Sequence, residues 1–264
     1  MSEDRVSITI IDGIADVRMT RTDKRNALDN AMFSSLAAAG ERLKTEPGVR
    51  VVVLSGDGAS FCAGLDLGTM TQLAGGGEGG ERQSGNPGEM QEGRITHLGQ
   101  QVCWVWQEIP VPVIAAVHGH ALGGGIQLAL GADIRIVHPD TQMSVREVFW
   151  GLVPDMTGTF FLSQLVGADV AKELVFTARI FDGREAKALG LATKLSDTPY
   201  DDAMVMAREI AGRSPDATRA AKQLMNGLFN QGAAEQFAAE LSGALLGQPA
   251  RFRSVPVGLL AGVT

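Results

Sequence analysis

Two carboxylates, Glu147 and Asp155, stand eight residues apart in "REVFWGLVPDM". Twenty positions before the first lies an amide, Gln127, two residues after the glycines 123, 124 and 125 of "HGHALGGGIQLALGADIRIV". A pair of carboxylates held apart can take a proton from one atom and return it to another. An amide cannot do so, but it donates and accepts hydrogen bonds and can orient a carboxylate or a water. The glycines mark a strand-to-helix junction. There the first helical N–H groups have no internal partner, and a missing Cβ lets a ligand reach the backbone. A second glycine site, "FCAG", is followed by Leu65. Two backbone N–H groups converging from these sites would make an oxyanion hole. Local pattern alone leaves blander readings open. The glycines would serve only close helix–strand packing, Glu147 would pair with Arg146, and Asp155 would cap a helix beginning near Met156.

Other chemistries find little support. The four histidines (His97, His118, His120, His138) and two cysteines (Cys62, Cys103) show no ligand spacing, so no metal site is expected. His118 and His120 read as packing or hydrogen-bonding groups. "GHALGGG" matches neither a dinucleotide fingerprint nor a phosphate-binding loop. No G-x-S-x-G elbow occurs. The chain has 264 residues, 45% hydrophobic and 20% charged, with a net charge of −7 and no basic run. A nucleic-acid or anionic-membrane surface is not expected from such a balance. No apolar segment reaches about 18 residues, so none is expected to span a membrane. "MSEDRVSITI" does not read as a signal peptide, and two cysteines suggest a reduced compartment, so a cytoplasmic location is expected.

The elements that must hold these groups are an alternation of strands and helices. "VSITIIDGIADVRMT" alternates around Asp12-Gly13, a hairpin signal. "NALDNAMFSSLAAAGERLKTE" has helical spacing of Leu28, Met32, Leu36 and Leu43. "VRVVVLSG" and "VPVIAAVHG" read as buried strands, "DIRIVHP" as a strand and "QMSV" as a short one. "ITHLGQQVCWVWQEI" is helical, and residues 74–93, rich in glycine and charge, read as a surface loop. From Thr157 onward helices dominate. The fold class is α/β. The expected division is a core over residues 1–200 that binds and acts on ligand, and a helical region over 201–264 whose apolar stripes meet a partner subunit.

"KRNALDNAMF", "SGDGASFCAGLDL", "IPVPVIAAVHGHALGGGIQLALGADIRI", "MSVREVFWGLVPDMTGT" and "GREAKALGLATKL" occur in this order. Together they resemble the crotonase superfamily, the enoyl-CoA hydratase/isomerase family, from Val6 to about Gly247. The resemblance implies a crotonase-like spiral of β-β-α units with a helical C-terminal oligomerisation region, assembled as a homotrimer or hexamer. It implies unsaturated acyl-CoA substrates, no cofactor beyond the coenzyme A that the substrate carries, and a place in fatty-acid β-oxidation. By position, Leu65 and Gly124 match the family's two oxyanion donors. Arg25 and Ala27, with Ala63, Asp66 and Leu67, match the segments that curl around CoA.

A typical hydratase of this family has glutamates at the positions of Gln127 and Glu147. Here the first is an amide, so the two-glutamate hydration site is incomplete. Glu147 with Asp155 resembles the Δ3,5-Δ2,4-dienoyl-CoA isomerase branch, from which Gln127 is itself a departure. The resemblance therefore implies an isomerase, with Glu147, Asp155 and Gln127 as the site's side chains and Phe149, Trp150 and Met156 as candidate acyl-pocket residues. A hydratase with one glutamate replaced, and a binder of acyl-CoA without activity, are the alternatives. A protease of similar fold lacks an identifiable Ser–His–Asp set.

Overall fold

The computed structural model describes residues 5–66, 68 and 95–228. The chain opens as a hairpin, β1 (Val6–Ile11) and β2 (Ile14–Met19), antiparallel in register. Its two-residue turn has φ +52° at Asp12 and +80° at Gly13, the left-handed pair that twists a tight hairpin correctly. Then come α1 (Asn30–Thr45), β3 (Val51–Gly56), α2 (Leu98–Glu108), β4 (Val113–Val117), β5 (His120–Leu122), α3 (Gly124–Leu130), β6 (Ile134–Val137) and β7 (Gln142–Ser144). A 3₁₀ turn (Glu147–Trp150), α4 (Gly158–Leu165), α5 (Ala168–Thr177), α6 (Gly183–Leu189), β8 (Lys194–Leu195), α7 (Pro199–Ala211) and α8 (Pro215–Gly227) complete the order.

The main sheet runs β1-β2-β3-β4-β6-β8, parallel from β2 onward. A second, smaller layer is built from short pieces. β5 pairs with β7 in parallel, and single bridges join Leu28 to Leu65, Cys62 to Ala121 and Met143 to Phe181. Each turn of chain thus places a long strand in the first layer and a short extended piece in the second, and then in most turns a helix. This is the expected β-β-α spiral. None of these pieces exceeds three residues, and of them the sequence shows only β7, as "QMSV".

The core lies between the sheet and α1, α2 and α3, where Phe33, Leu54, Trp106 and Ile126 are fully buried. Each such side chain contributes roughly 1.5–3 kcal/mol by leaving water. The other face of the sheet is covered by α7. Ala203, Ala207 and Ala211 form a stripe four residues apart that seats on Val51, Val53, Ile114, Ala116 and Ile136. The expected boundary between residues 200 and 201 falls inside this helix, and its apolar stripe meets its own sheet rather than a partner. The rest of the region expected to oligomerise, 229–264, lies outside the described residues, as does the loop expected over 74–93. Leu28 belongs to the second layer and not to α1, whose cap is Asp29, accepting from the Met32 N–H at 2.8 Å.

Candidate active site

The second layer carries the site. Leu28 donates its N–H to Gly64 and accepts from Asp66. In a parallel bridge this pairing uses the peptide groups on either side of Leu65, so Leu65's own N–H points the other way. Gly124 opens α3, where its N–H has no intrahelical acceptor. Among the described residues, neither the Leu65 nor the Gly124 N–H has a protein acceptor. The two are close: a Cβ on Gly64, at φ +91°, would lie 3.7 Å from the Gly124 nitrogen and 2.4 Å from the Leu122 carbonyl oxygen.

Each glycine of the triplet has its own reason. Gly123 sits at φ +53°, and a Cβ there would come within 3.3 Å of Glu147 Oε1. A Cβ on Gly124 would meet Leu28 Cδ1 at 2.8 Å and the Met156 sulfur at 3.0 Å. One on Gly125 would strike the Cys62 carbonyl oxygen at 2.2 Å. The packing reading therefore holds for Gly125 and for Gly124, whose missing Cβ leaves room for Leu28 and Met156, while Gly123 lies against a carboxylate.

That carboxylate is Glu147, at the start of the 3₁₀ turn and 8% exposed. Its Oε1 accepts from Gln127 Nε2 at 2.5 Å, and its Oε2 is buried without a hydrogen-bond partner. Burial pushes its pKa up. Donation from its own backbone and from Gln127 opposes this, and the charge of Asp155 adds to the rise. Arg146 is not its partner. That guanidinium donates to the Ala178 carbonyl at 2.8 Å and stacks 3.9 Å from the centre of the Phe149 ring.

Gln127 is fully buried, and its amide is used at both ends. Its Oε1 accepts the N–H groups of Met156 (3.0 Å) and Gly158 (2.9 Å) while its Nε2 donates to Glu147. The expectation of Gln127 as a catalytic side chain therefore changes in kind, since neither amide atom is free to act on a water.

Asp155 is exposed, and its charge reaches Glu147. It does not cap a helix: the residue before α4 is Thr157, at φ +68° with no side-chain cap bond. Of the expected acyl-pocket residues, Met156 is buried against Gly124. Phe149 and Trp150 are 58% and 52% exposed and pack edge to face on each other at the surface.

The expected CoA segments meet at one place. Arg25 and Asn26 both take left-handed backbone, which curls the chain tightly. The Arg25 carbonyl accepts from Ala63 at 2.9 Å, and Asn26 Nδ2 donates to the carbonyls of Asp57 and Ser60. Ala27 is buried and Arg25 exposed. Sequence reading missed Arg21, which ties the curl together. It donates to the Ala27 carbonyl at 3.1 Å and pairs with Asp66 at 2.7 Å and Asp29 at 3.3 Å. No local pattern separates it from a surface arginine. Asp66 is thereby held as an ion-pair partner, and Leu67 lies outside the described residues.

His118 Nε2 donates to the Gly58 carbonyl at 3.0 Å, and His120 Nδ1 meets Ser60 Oγ at 2.9 Å. Cys62 and Cys103 are free and buried, and burial pushes the Cys62 thiol up to about 12, which leaves it unreactive. No cluster among the described residues has three or more metal-ligating side chains, and no helix there is long and apolar enough to cross a membrane.

A family model for enoyl-CoA hydratase/isomerase matches residues 9–245. The bovine (Bos taurus) mitochondrial enoyl-CoA hydratase domain-containing protein 2 is 36% identical over 217 residues, 80% of this chain and 69% of that protein. The Arabidopsis thaliana peroxisomal Δ(3,5)-Δ(2,4)-dienoyl-CoA isomerase is 34% identical over 78% of this chain and 75% of its own length. In three dimensions, a Thermobifida fusca YX protein assigned as an enoyl-CoA hydratase, solved in complex with CoA, superposes with a TM-score of 0.76. It is 32% identical and covers 95% of this chain and 93% of its own.

Proposed function

The chain belongs to the enoyl-CoA hydratase/isomerase family, and from that premise we propose that it shifts double bonds in unsaturated acyl-CoA thioesters, in the manner of a Δ3,5-Δ2,4-dienoyl-CoA isomerase. One observation carries the reading. The position where a second glutamate would activate water holds an amide whose oxygen and nitrogen are both engaged, leaving Glu147 beside it as a buried carboxylate with a free oxygen.

The thioester oxygen would sit between the N–H groups of Leu65 and Gly124. Removing the proton at C2 breaks the C2–H bond and sends its electron pair onto that oxygen, giving a trienolate. One such fixed donor is worth roughly 10²–10³ in rate. Glu147, whose Oε1 and carboxyl carbon face Gly123, would take the C2 proton on its unpartnered Oε2. Asp155 would deliver a proton at C6 as the electrons return along the chain, leaving a 2,4-diene. Asp155 is open to solvent, and the raised affinity of Glu147 for a proton suits a base working near neutral pH. The curl of Arg25 and Ala27 against Ala63 would hold the CoA moiety, with support from the CoA complex of the Thermobifida relative. No further cofactor is invoked. Place in β-oxidation, a cytoplasmic location and assembly as a homotrimer or hexamer belong to the same reading. The free, buried thiols suit a reducing compartment.

Hydration is the second reading. It is favoured by the exposure of Asp155, which water can reach, and by relatives named for hydratase domains. Ultraviolet absorbance decides between them. Conjugation rises when a 3,5-dienoyl-CoA becomes a 2,4-dienoyl-CoA, and falls when a 2-enoyl-CoA takes up water. Turnover of the first alone supports isomerisation; turnover of the second alone overturns it. If neither reacts and calorimetry still detects a CoA thioester, the chain is a binder. Light scattering tests assembly, with a 27.8 kDa particle at micromolar concentration counting against it.

A further inference from the structure

The geometry points to Gln127 as a positioning residue that fixes which oxygen of Glu147 works and locks the Asp155-bearing loop to it. This rests on Glu147 being the base of the proposed reaction.

The amide has only one reading that satisfies its neighbours. Met156 and Gly158 present N–H groups, so the atom facing them at 3.0 and 2.9 Å is the oxygen. The nitrogen must then face Glu147, where it donates to Oε1 at 2.5 Å. Oε1 is thereby occupied. Oε2, buried and without a partner, is left for substrate. The same oxygen of Gln127 brackets Thr157, whose left-handed backbone at φ +68° is unusual for a β-branched residue. Met156 Sδ, one residue away, would stand 3.0 Å from a Cβ on Gly124. One side chain therefore couples three parts of the site: the base, the loop that carries Asp155, and the wall behind the oxyanion donor.

The geometry also accounts for the amide itself. A carboxylate in its place would bring a second acidic oxygen 2.5 Å from Glu147 Oε1, and two carboxylates so close share a proton. An amide supplies the donor at every pH and leaves the base free to ionise alone.

The test has two arms. The first needs no substrate: the Glu147 carboxyl is titrated by ¹³C NMR in the unliganded protein, wild type beside Gln127→Ala. Losing a hydrogen bond to the charged form moves the titration to higher pH. An unmoved titration in a folded variant overturns the inference. The second arm uses 3,5-dienoyl-CoA. Gln127→Ala is expected to lose about 10- to 100-fold in kcat, the worth of one hydrogen bond to a charged group, with KM little changed. The acid limb of its pH profile should move up.

Gln127→Glu keeps the acceptor oxygen and donates only while the carboxyl pair holds one proton. It should recover rate where the pair is singly protonated and lose it again as pH rises. A Glu variant whose rate, relative to wild type, shows no rise where the pair is singly protonated overturns the inference, and this comparison decides alone if the Ala variant does not fold. Failure of the reaction reading looks different: wild type itself then leaves the dienoyl-CoA unchanged, and the NMR arm still answers for Gln127.

Discussion

Two buried titratable side chains, Glu147 and Lys222, are treated in opposite ways. Lys222 on α8 spends its ammonium fully. It donates to the carbonyls of Trp106 (2.8 Å) and Val111 (3.1 Å) and pairs with Asp133 at 2.8 Å, while Asp133 also accepts the Val113 N–H. Glu147 spends one oxygen on Gln127 and leaves the other buried and unbonded. A satisfied buried charge fastens elements together, here α8 to the strand β4 and helix α2. An unsatisfied one costs stability that packing elsewhere must offset, and it is retained where a ligand completes it. The difference separates a fastening from a site without reference to any relative.

Substitutions that remove each charge should break the comparison in opposite directions. Glu147→Gln keeps the shape and loses the base, so 3,5-dienoyl-CoA turnover should fall by about 10²–10⁴. Steady-state absorbance checks this, and an active variant removes Glu147 from the mechanism. Asp155→Asn should cost about 10² in isomerisation, toward the lower end because water reaches the exposed position, with CoA-thioester affinity nearly unchanged. Full activity there would reduce the mechanism to a single carboxylate.

Lys222→Met should leave turnover per folded molecule alone and cost about 2–4 kcal/mol in urea unfolding. That is moderated from a fully buried pair because Asp133 keeps 21% of its side chain in solvent. The smallest effect has the opposite sign. Glu147→Gln should stabilise the fold by about 1 kcal/mol at pH 8 by relieving an unsatisfied buried charge. The folded-state pKa of Glu147 lies above its ordinary 4.5, so its ionisation destabilises the protein above that raised pKa. The gap between variant and wild type should close as pH falls through the raised pKa toward 4.5. Unfolding midpoints across pH test the sign, and a less stable variant at pH 8 contradicts it.

What was legible in sequence follows from range. The Asp12-Gly13 turn, the β-branched strands and the helix stripes are local, and they appear where the periodicities place them, except that Leu28 leaves the first stripe for the second layer. The glycine sites were legible as places of backbone approach because a missing Cβ has few other uses. The partners of those groups were not. Gln127 meets Glu147 twenty residues on and Gly158 thirty-one residues on, through layers formed by bridges one residue long. Asp155 resembles a helix cap in sequence, yet the left-handed turn at Thr157, held by Gln127, moves the helix start past it. The alanine stripe of α7 fits a partner or the chain's own sheet equally well. The second apolar face of that sheet, which the other helices leave to α7, decides between them.

The central claim is that Glu147 removes the C2 proton while Asp155 acts elsewhere on the chain. Hydrogen exchange at C2 separates the two steps. A 3,5-dienoyl-CoA is incubated in D₂O with wild type, Glu147→Gln or Asp155→Asn, and deuterium at C2 is read by mass spectrometry and NMR. The account predicts exchange with wild type, none above background with Glu147→Gln, and exchange that persists with Asp155→Asn although isomerisation is slowed about 10²-fold. Undiminished C2 exchange with Glu147→Gln would contradict it.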